Sequence, residues 1–187
     1  MTPRKPKILY ISEPRQLRAL RTPLRQDILQ AMSLLKSASV RELATAMDRP
    51  PASLYYHVHE LEDAGLITKR TARRSGTKTE TVYEPAAEQI RIDRTKHTRR
   101  FVEALSDLHK ATLSQATREV TAALCARSSG DSSDNSLMLV RLSARLSRDD
   151  VKKAQRMLDE LAAFLGERDS SVNEETFSFT AAMAKLA

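Results

Sequence analysis

The apolar residues of the first 65 positions fall into three helical stripes. Leu17, Leu20, Leu24, Ile28, Met32 and Leu35 recur every three or four residues, the period of a buried helix face. They predict a helix from Pro14 to Leu35. Pro23 interrupts it, because proline lacks an N–H and its ring clashes with the preceding turn. The expectation is a short lead turn followed by a main helix with Thr22 as N-cap. Ser39-Val-Arg-Glu42 is a capping-box pattern and opens a second helix, Val40 to Met47, with Val40, Leu43, Ala44 and Met47 facing inward. Asp48-Arg49-Pro50 is a turn. The third stripe lies in PASLYYHVHELEDAGLI, Pro51 to Ile67, where Leu54, Val58 and Leu61 fall at i, i+4 and i+7. Pro50 and Pro51 open this helix, where a missing N–H costs nothing. Gly65 closes it in the left-handed C′ position.

After Gly65 the period changes to two. Leu66 to Arg73 alternates and is rich in Thr and Ile, which predicts a strand. Arg74 to Lys78 is a turn with Gly76 at its tip. Thr79 to Glu84 alternates again, with Val82 and Tyr83, and Pro85 ends the hairpin. Asp93 is placed to cap a long helix running to about Arg127, with a stripe at Phe101, Leu105, Leu108, Thr112, Ala116, Val120 and Leu124. Such a helix is about 50 Å long at 1.5 Å per residue, too long to bury on one small domain. A partner helix is therefore expected, with Phe101, Leu105, Leu108, Val120 and Leu124 as the interface residues. Ser128 to Ser136 has no apolar residue and predicts a linker. Leu137 to Leu146 fits both a helical and a strand pattern, and the strand reading is preferred. Ser147 and Asp150 cap a helix with Val151, Ala154, Leu158, Leu161 and Leu165 as its stripe, stopped by Gly166. Alternation at Phe177 and Phe179 predicts a second strand within Glu175 to Leu186.

Composition agrees with a mainly α fold with a small β component, since 187 residues contain only four glycines and no Trp. The net charge of +7 is unevenly placed: residues 1–95 hold 17 Lys and Arg against 11 Asp and Glu, and residues 96–187 hold 14 against 13. An excess of this kind suits an acidic partner. One cysteine, Cys125, excludes an internal disulfide and a multi-thiolate metal site. It fits a reducing, cytoplasmic setting. No apolar run approaches the roughly 20 residues needed to cross a bilayer. The basic start, TPRKPK, is followed only by Ile8 to Ile11, too short for a signal peptide. It reads as a mobile arm leading into a short extended piece.

The chemistry gathers on the third helix and the hairpin. Opposite the apolar back of that helix stand Ser53, Tyr55, Tyr56 and His59, with Glu60 and Glu62 behind them. A helix of about 10–12 Å diameter fits a DNA major groove about 12 Å wide. Tyr and Ser hydroxyls donate and accept hydrogen bonds, and Tyr rings can contact a thymine methyl. The front carries no Arg or Asn for bidentate base reading, so phosphate contacts and DNA shape are expected to carry a large share. Arg70, Arg73, Arg74 and Lys78 flank the hairpin tip, and Arg49, Arg21 and Arg25 are candidate phosphate contacts. His57 lies between apolar positions and reads as a packing histidine. No glycine-rich phosphate loop, His-Glu-x-x-His or nucleophile elbow is present, so an enzyme is not expected.

Three helices and a hairpin make the winged helix-turn-helix layout. TPLRQDIL, SVRELATAMDRPPASLYYHVHELEDAGLI and RTARRSGTKTETVYEP closely resemble the ArsR-like branch of winged helix-turn-helix repressors, over about residues 14–90. The resemblance implies a homodimer paired through terminal helices. It implies base- or backbone-facing roles for Ser53, Tyr55, Tyr56 and His59, and wing roles for Arg73, Arg74 and Lys78. Many metal-sensing members carry Cys-x-Cys on the second helix; here it reads VRELATAM, so that site is absent. His97, Asp107, His109 and Glu119 do not match the spacing of the family's other metal site. No metal or cofactor is expected.

The expected organisation is an arm at 1–12, a winged helix-turn-helix domain at 13–92, a dimerisation helix at 93–127, a linker at 128–136 and a strand–helix–strand region at 137–187. This last region is the place for dimer contacts or an unidentified small-molecule effector. The expected function is a cytoplasmic, nucleoid-associated regulator that binds double-stranded DNA in a sequence-specific manner as a homodimeric repressor. The alternative is a winged-helix protein-interaction module in a larger assembly that does not bind DNA.

Overall fold

The computed structural model describes residues 5–75, 78–93, 95–127, 140, 143–166 and 177–183. The chain divides into two units, one ending at Thr112 and the other starting at Leu113. It is mainly helical with a small sheet component, a winged helix-turn-helix arrangement followed by a long helix.

The first unit begins with strand β1, Ile8–Ile11, then helices α1, Pro14–Leu20, and α2, Pro23–Leu35. The break falls at Pro23, and Thr22 is the N-cap with extended backbone. A helix end leaves carbonyls without intrahelical donors. The side chains just past the break supply them: Arg25 donates to the Arg18 and Ala19 carbonyls, and Gln26 Nε2 to the Leu20 carbonyl at 2.7 Å. The elbow is thus held by residues that follow the proline directly.

Strand β2, Ala38–Ser39, leads into α3, Val40–Ala46. Ser39 closes the expected capping box: its Oγ accepts from the Glu42 N–H at 3.3 Å, and its own N–H donates to Glu42 Oε2 at 2.7 Å. The turn after α3 is a Schellman motif, with Arg49 N–H donating to the Ala44 carbonyl at 2.9 Å and Asp48 N–H to Thr45 at 3.3 Å. Asp48 takes the left-handed position at φ 48°, one of the few residue types that tolerates it. The next helix opens with a tight 3-10 turn, Pro51–Ser53, and continues as α4, Tyr55–Asp63. It ends in the same motif, with Leu66 N–H on Leu61 and Gly65 N–H on Glu62 at 2.9 and 2.8 Å. Gly65 has φ 69°, and a Cβ there meets nothing within 4 Å. The glycine is required by backbone conformation, not by space.

Strands β3, Ile67–Ser75, and β4, Lys78–Pro85, form the antiparallel wing, and β2 adds to its other edge in the order β2-β4-β3. The strands run further toward the tip than the alternation predicts. Arg70 pairs with Val82 and Arg73 with Glu80, so β3 carries one extra residue between them, a bulge that sharpens the local twist. Strand β5, Gln89–Ile92, pairs in parallel with β1, Ile8 opposite Gln89 through Ile11 opposite Ile92. Residues 8–11 are therefore part of the domain and not of an arm; Ile11 is 1% exposed.

Helix α5 runs Arg99–Arg127. It starts later than expected. Asp93 instead closes a local turn, accepting from Thr95 N–H and Oγ1 at 2.9 and 2.6 Å, which holds its carboxyl below the usual range. Thr98 takes the cap position, accepting from Phe101 N–H at 3.4 Å. Leu17, Ile28, Met32, Leu43, Leu54, Val58, Leu61 and Leu66 are almost fully buried and form one core with Phe101, Ala104 and Leu108. A fully buried side chain of this size contributes about 1.5–3 kcal/mol. Phe101 and Leu108 are thus core residues of one chain, and Leu105 packs against the same core. The expectation that these three form the dimer interface is corrected: their face is covered by their own unit.

In the second unit α5 continues, and α6 spans Arg148–Gly166. Its expected cap is present: Asp150 N–H donates to Ser147 Oγ at 3.1 Å, and Ser147 N–H to Asp150 Oδ2 at 3.1 Å. The two flanking strands are not seen among the described residues, since Val140, 143–146 and 177–183 carry no regular structure. Ser178 instead donates its hydroxyl to Glu119 on α5. The linker expected at 128–136 lies outside the described residues. Among the described residues no helix is long and apolar enough to cross a membrane.

Candidate nucleic-acid interface

Helix α4 presents its front because its back is fully used. Leu54, Val58 and Leu61 are 0–1% exposed, while Tyr55 and Tyr56 are 48% and 64% exposed. Both tyrosines face solvent, and neither is taken by the core. Ser53 is exposed and donates its hydroxyl to the Pro50 carbonyl at 2.7 Å. That bond closes the 3-10 turn and leaves the oxygen able to accept. His59 is exposed, with Nδ1 3.5 Å from Glu62 Oε2. Ser53, Tyr55, Tyr56 and His59 thus share an open surface at the start of the helix.

His57 sits differently. It is half-buried, its ring meets that of Tyr56 edge-on at 5.4 Å, and its buried Nδ1 has no hydrogen-bond partner. Burial, with the nearby Arg25 charge adding to it, lowers its pKa below the ordinary histidine value. A neutral, packed imidazole agrees with the packing role read from its spacing.

The wing adds charge beside this surface. Arg73 and Arg74 lie in β3 opposite Glu80 and Thr79, and Lys78 lies opposite Ser75, so all three stand within a few residues of the tip. Arg70 is exposed, 3.7 Å from Glu84. Arg49 is exposed in the turn between α3 and α4, and Arg21 is exposed at the elbow between α1 and α2. Two further cations belong to this region without having stood out in the sequence. Lys69 bonds Glu62 at 2.9 Å, which ties the end of α4 to the wing and raises the lysine pKa. Arg41 on α3 pairs with Glu80 on β4 at 2.9 Å. The alternation of β3 signals an outward lysine at position 69; its partner one element away has no local signal.

Arg25 is a correction. The sequence suggests a phosphate contact, but Arg25 is 8% exposed and its guanidinium is spent inside the protein on the Arg18 and Ala19 carbonyls and on Glu60. It cannot reach a DNA backbone from there. Among the described residues no three His, Cys, Asp or Glu side chains gather as a metal site.

No curated protein matches this chain. A family model described as a helix-turn-helix domain matches residues 20–70, which spans α2, α3, α4 and the start of β3. The match covers the helices that carry the caps, the turns and the exposed front of α4, and the chain carries a helix-turn-helix domain of the kind found in DNA-binding regulators.

Proposed function

We propose that this protein is a sequence-specific double-stranded DNA-binding transcriptional regulator of the ArsR-like branch, acting as a homodimeric repressor in the cytoplasm. The observation that carries the reading is the open front of α4. Two tyrosines, a serine and a histidine are exposed on a helix whose other face is wholly buried. Helix α4 enters the major groove, and Ser53, Tyr55, Tyr56 and His59 meet base edges or the flanking backbone. Arg73, Arg74, Lys78, Arg70 and Arg49 supply phosphate contacts. Two copies of the domain place two half-sites about one helical turn apart, roughly 34 Å. Support for self-association comes from the second unit, where Leu124, Met157 and Phe164 are 51%, 60% and 52% exposed. An effector, if the protein takes one, belongs to that same region.

The wing tests the electrostatic half of this reading. Removing one phosphate-neutralising side chain reduces the log–log salt slope of binding by about 0.9 on duplex DNA. Arg73→Ala with Arg74→Ala is expected to weaken binding to all duplexes and to flatten the slope by about two. The measurement is a salt titration of affinity for a random duplex; unchanged affinity and slope remove the wing from the interface. Competition by duplex RNA at equal length separates DNA recognition from general polyanion binding.

A further inference from the structure

The apolar seat of α4 does not by itself fix how the helix is rolled. Leu54, Val58 and Leu61 are buried by a force that is proportional to area and has no direction. Direction comes from polar contacts with the start of α1 and with the α1–α2 elbow. Gln16 Nε2 donates to the Ala64 carbonyl and Arg15 Nη1 to the Asp63 carbonyl, each at 3.5 Å, at the far end of α4. Gln16 is itself fixed, since its Oε1 accepts from the Ser12 and Glu13 N–H groups at 3.1 and 3.2 Å. Along the body of the helix the contact is Arg25 Nη1 to Glu60 Oε2 at 3.4 Å. The other donors of Arg25 are held by the Arg18 and Ala19 carbonyls. A guanidinium is planar with its donors in a rigid fork. Fixing Nε and Nη2 therefore aims Nη1.

We propose that Arg25 is a positioning residue for the reading surface: locked onto the last carbonyls of α1, it holds Glu60 and so sets the roll of α4 on its apolar seat. This rests on the DNA-binding reading above. Glu60 lies one turn beyond Tyr56 and next to His59, so its anchor acts directly on the exposed front. Side-chain tips lie about 5–6 Å from a helix axis. A roll of about 20° moves them by about 2 Å, which is enough to break a hydrogen bond to a base edge. Phosphate contacts from the wing do not pass through this anchor. The consequence is a loss of discrimination with general affinity intact.

The test uses the full-length protein, duplexes that the wild type enriches from a random pool, and a scrambled duplex of the same length. Arg25→Lys keeps the charge and removes the fork; Glu60→Gln keeps the shape and removes the charge. Both, and the double variant, are measured at a temperature where circular dichroism shows them fully folded. Each single change is expected to lower the ratio of selected to scrambled affinity about tenfold, with scrambled affinity and salt slope unchanged. The double variant is expected to fall no further than the worse single, because both changes break the same interaction. An unchanged ratio in folded variants overturns the proposal. So does a fall in scrambled affinity with the salt slope reduced by about 0.9, which means Arg25 touches phosphate. If Arg25→Lys does not fold, Glu60→Gln decides alone, since its side chain is 39% exposed and can be changed without opening the core. A wild type that enriches no duplex brings down the DNA reading first, and this inference with it.

Discussion

Helix α5 has the same apolar period along its length and two different environments. Up to Thr112 its stripe is covered: Phe101, Ala104 and Leu108 are 1%, 6% and 6% exposed and join the core with Ile11, Leu17 and Leu20. From Leu113 onward the stripe is less fully covered: Ala116 and Val120 are half-buried and Leu124 is 51% exposed, with Leu113 beside the stripe at 49%. Helix α6 resembles the second half, leaving Met157, Phe164 and Leu165 well exposed. A helical stripe records that a face is apolar and says nothing about what covers it. In the first unit the cover comes from the same chain. In the second, apolar side chains on two amphipathic helices stay exposed, the surface that the proposed self-association would cover.

The largest effect expected from this contrast is at Phe101. Phe101→Ala empties a filled site and is expected to cost about 3–5 kcal/mol of unfolding free energy. Leu124→Ala, at a half-exposed position, is expected to stay within about 1 kcal/mol. Chemical denaturation of the two variants compares them directly, and equal losses dissolve the distinction. Next in size is association. Leu113→Asp with Leu124→Asp is expected to weaken self-association by tenfold or more in sedimentation equilibrium, with the folding of residues up to Thr112 unaltered. A wild type that is monomeric at tens of micromolar breaks the comparison from the other side.

The smallest effect is at His57. Its pKa in the folded protein lies below the ordinary value near 6.5, because burial and Arg25 disfavour the imidazolium. Below that value the unfolded chain binds the proton more readily than the folded one, so stability falls as pH drops through about 6.5. His57→Gln is expected to flatten the difference in thermal midpoint between pH 7.5 and 5 relative to wild type. An identical pH profile for both proteins contradicts the packed, neutral histidine.

Much of the helix-turn-helix is legible in the sequence because its signals are local. The Ser39–Glu42 box, the break at Pro23 and Gly65 after α4 each act within a few residues, and all three hold in the structure. The exposed front of α4 follows from the same apolar spacing. What the sequence hides is long-range or indirect. The parallel pairing of β1 with β5 joins segments about 80 residues apart, and four apolar residues near a terminus do not name a partner. Asp93 has the sequence position of a cap for α5, yet its carboxylate finds a nearer donor in Thr95. Arg25 reads as a surface cation because arginine is usually solvated. A signal against that is present: Pro23 ends α1, a helix end leaves orphan carbonyls, and Arg25 is the next cation in reach.

The central claim is that the front of α4 reads duplex DNA. The most direct measurement is selection by the wild-type protein from a random duplex pool at moderate salt, followed by sequencing of what is retained. The expected result is enrichment of paired, similar half-sites spaced by about one helical turn, or roughly 10 base pairs. Retention of no preferred sequence, or of the pool only at low salt, contradicts it.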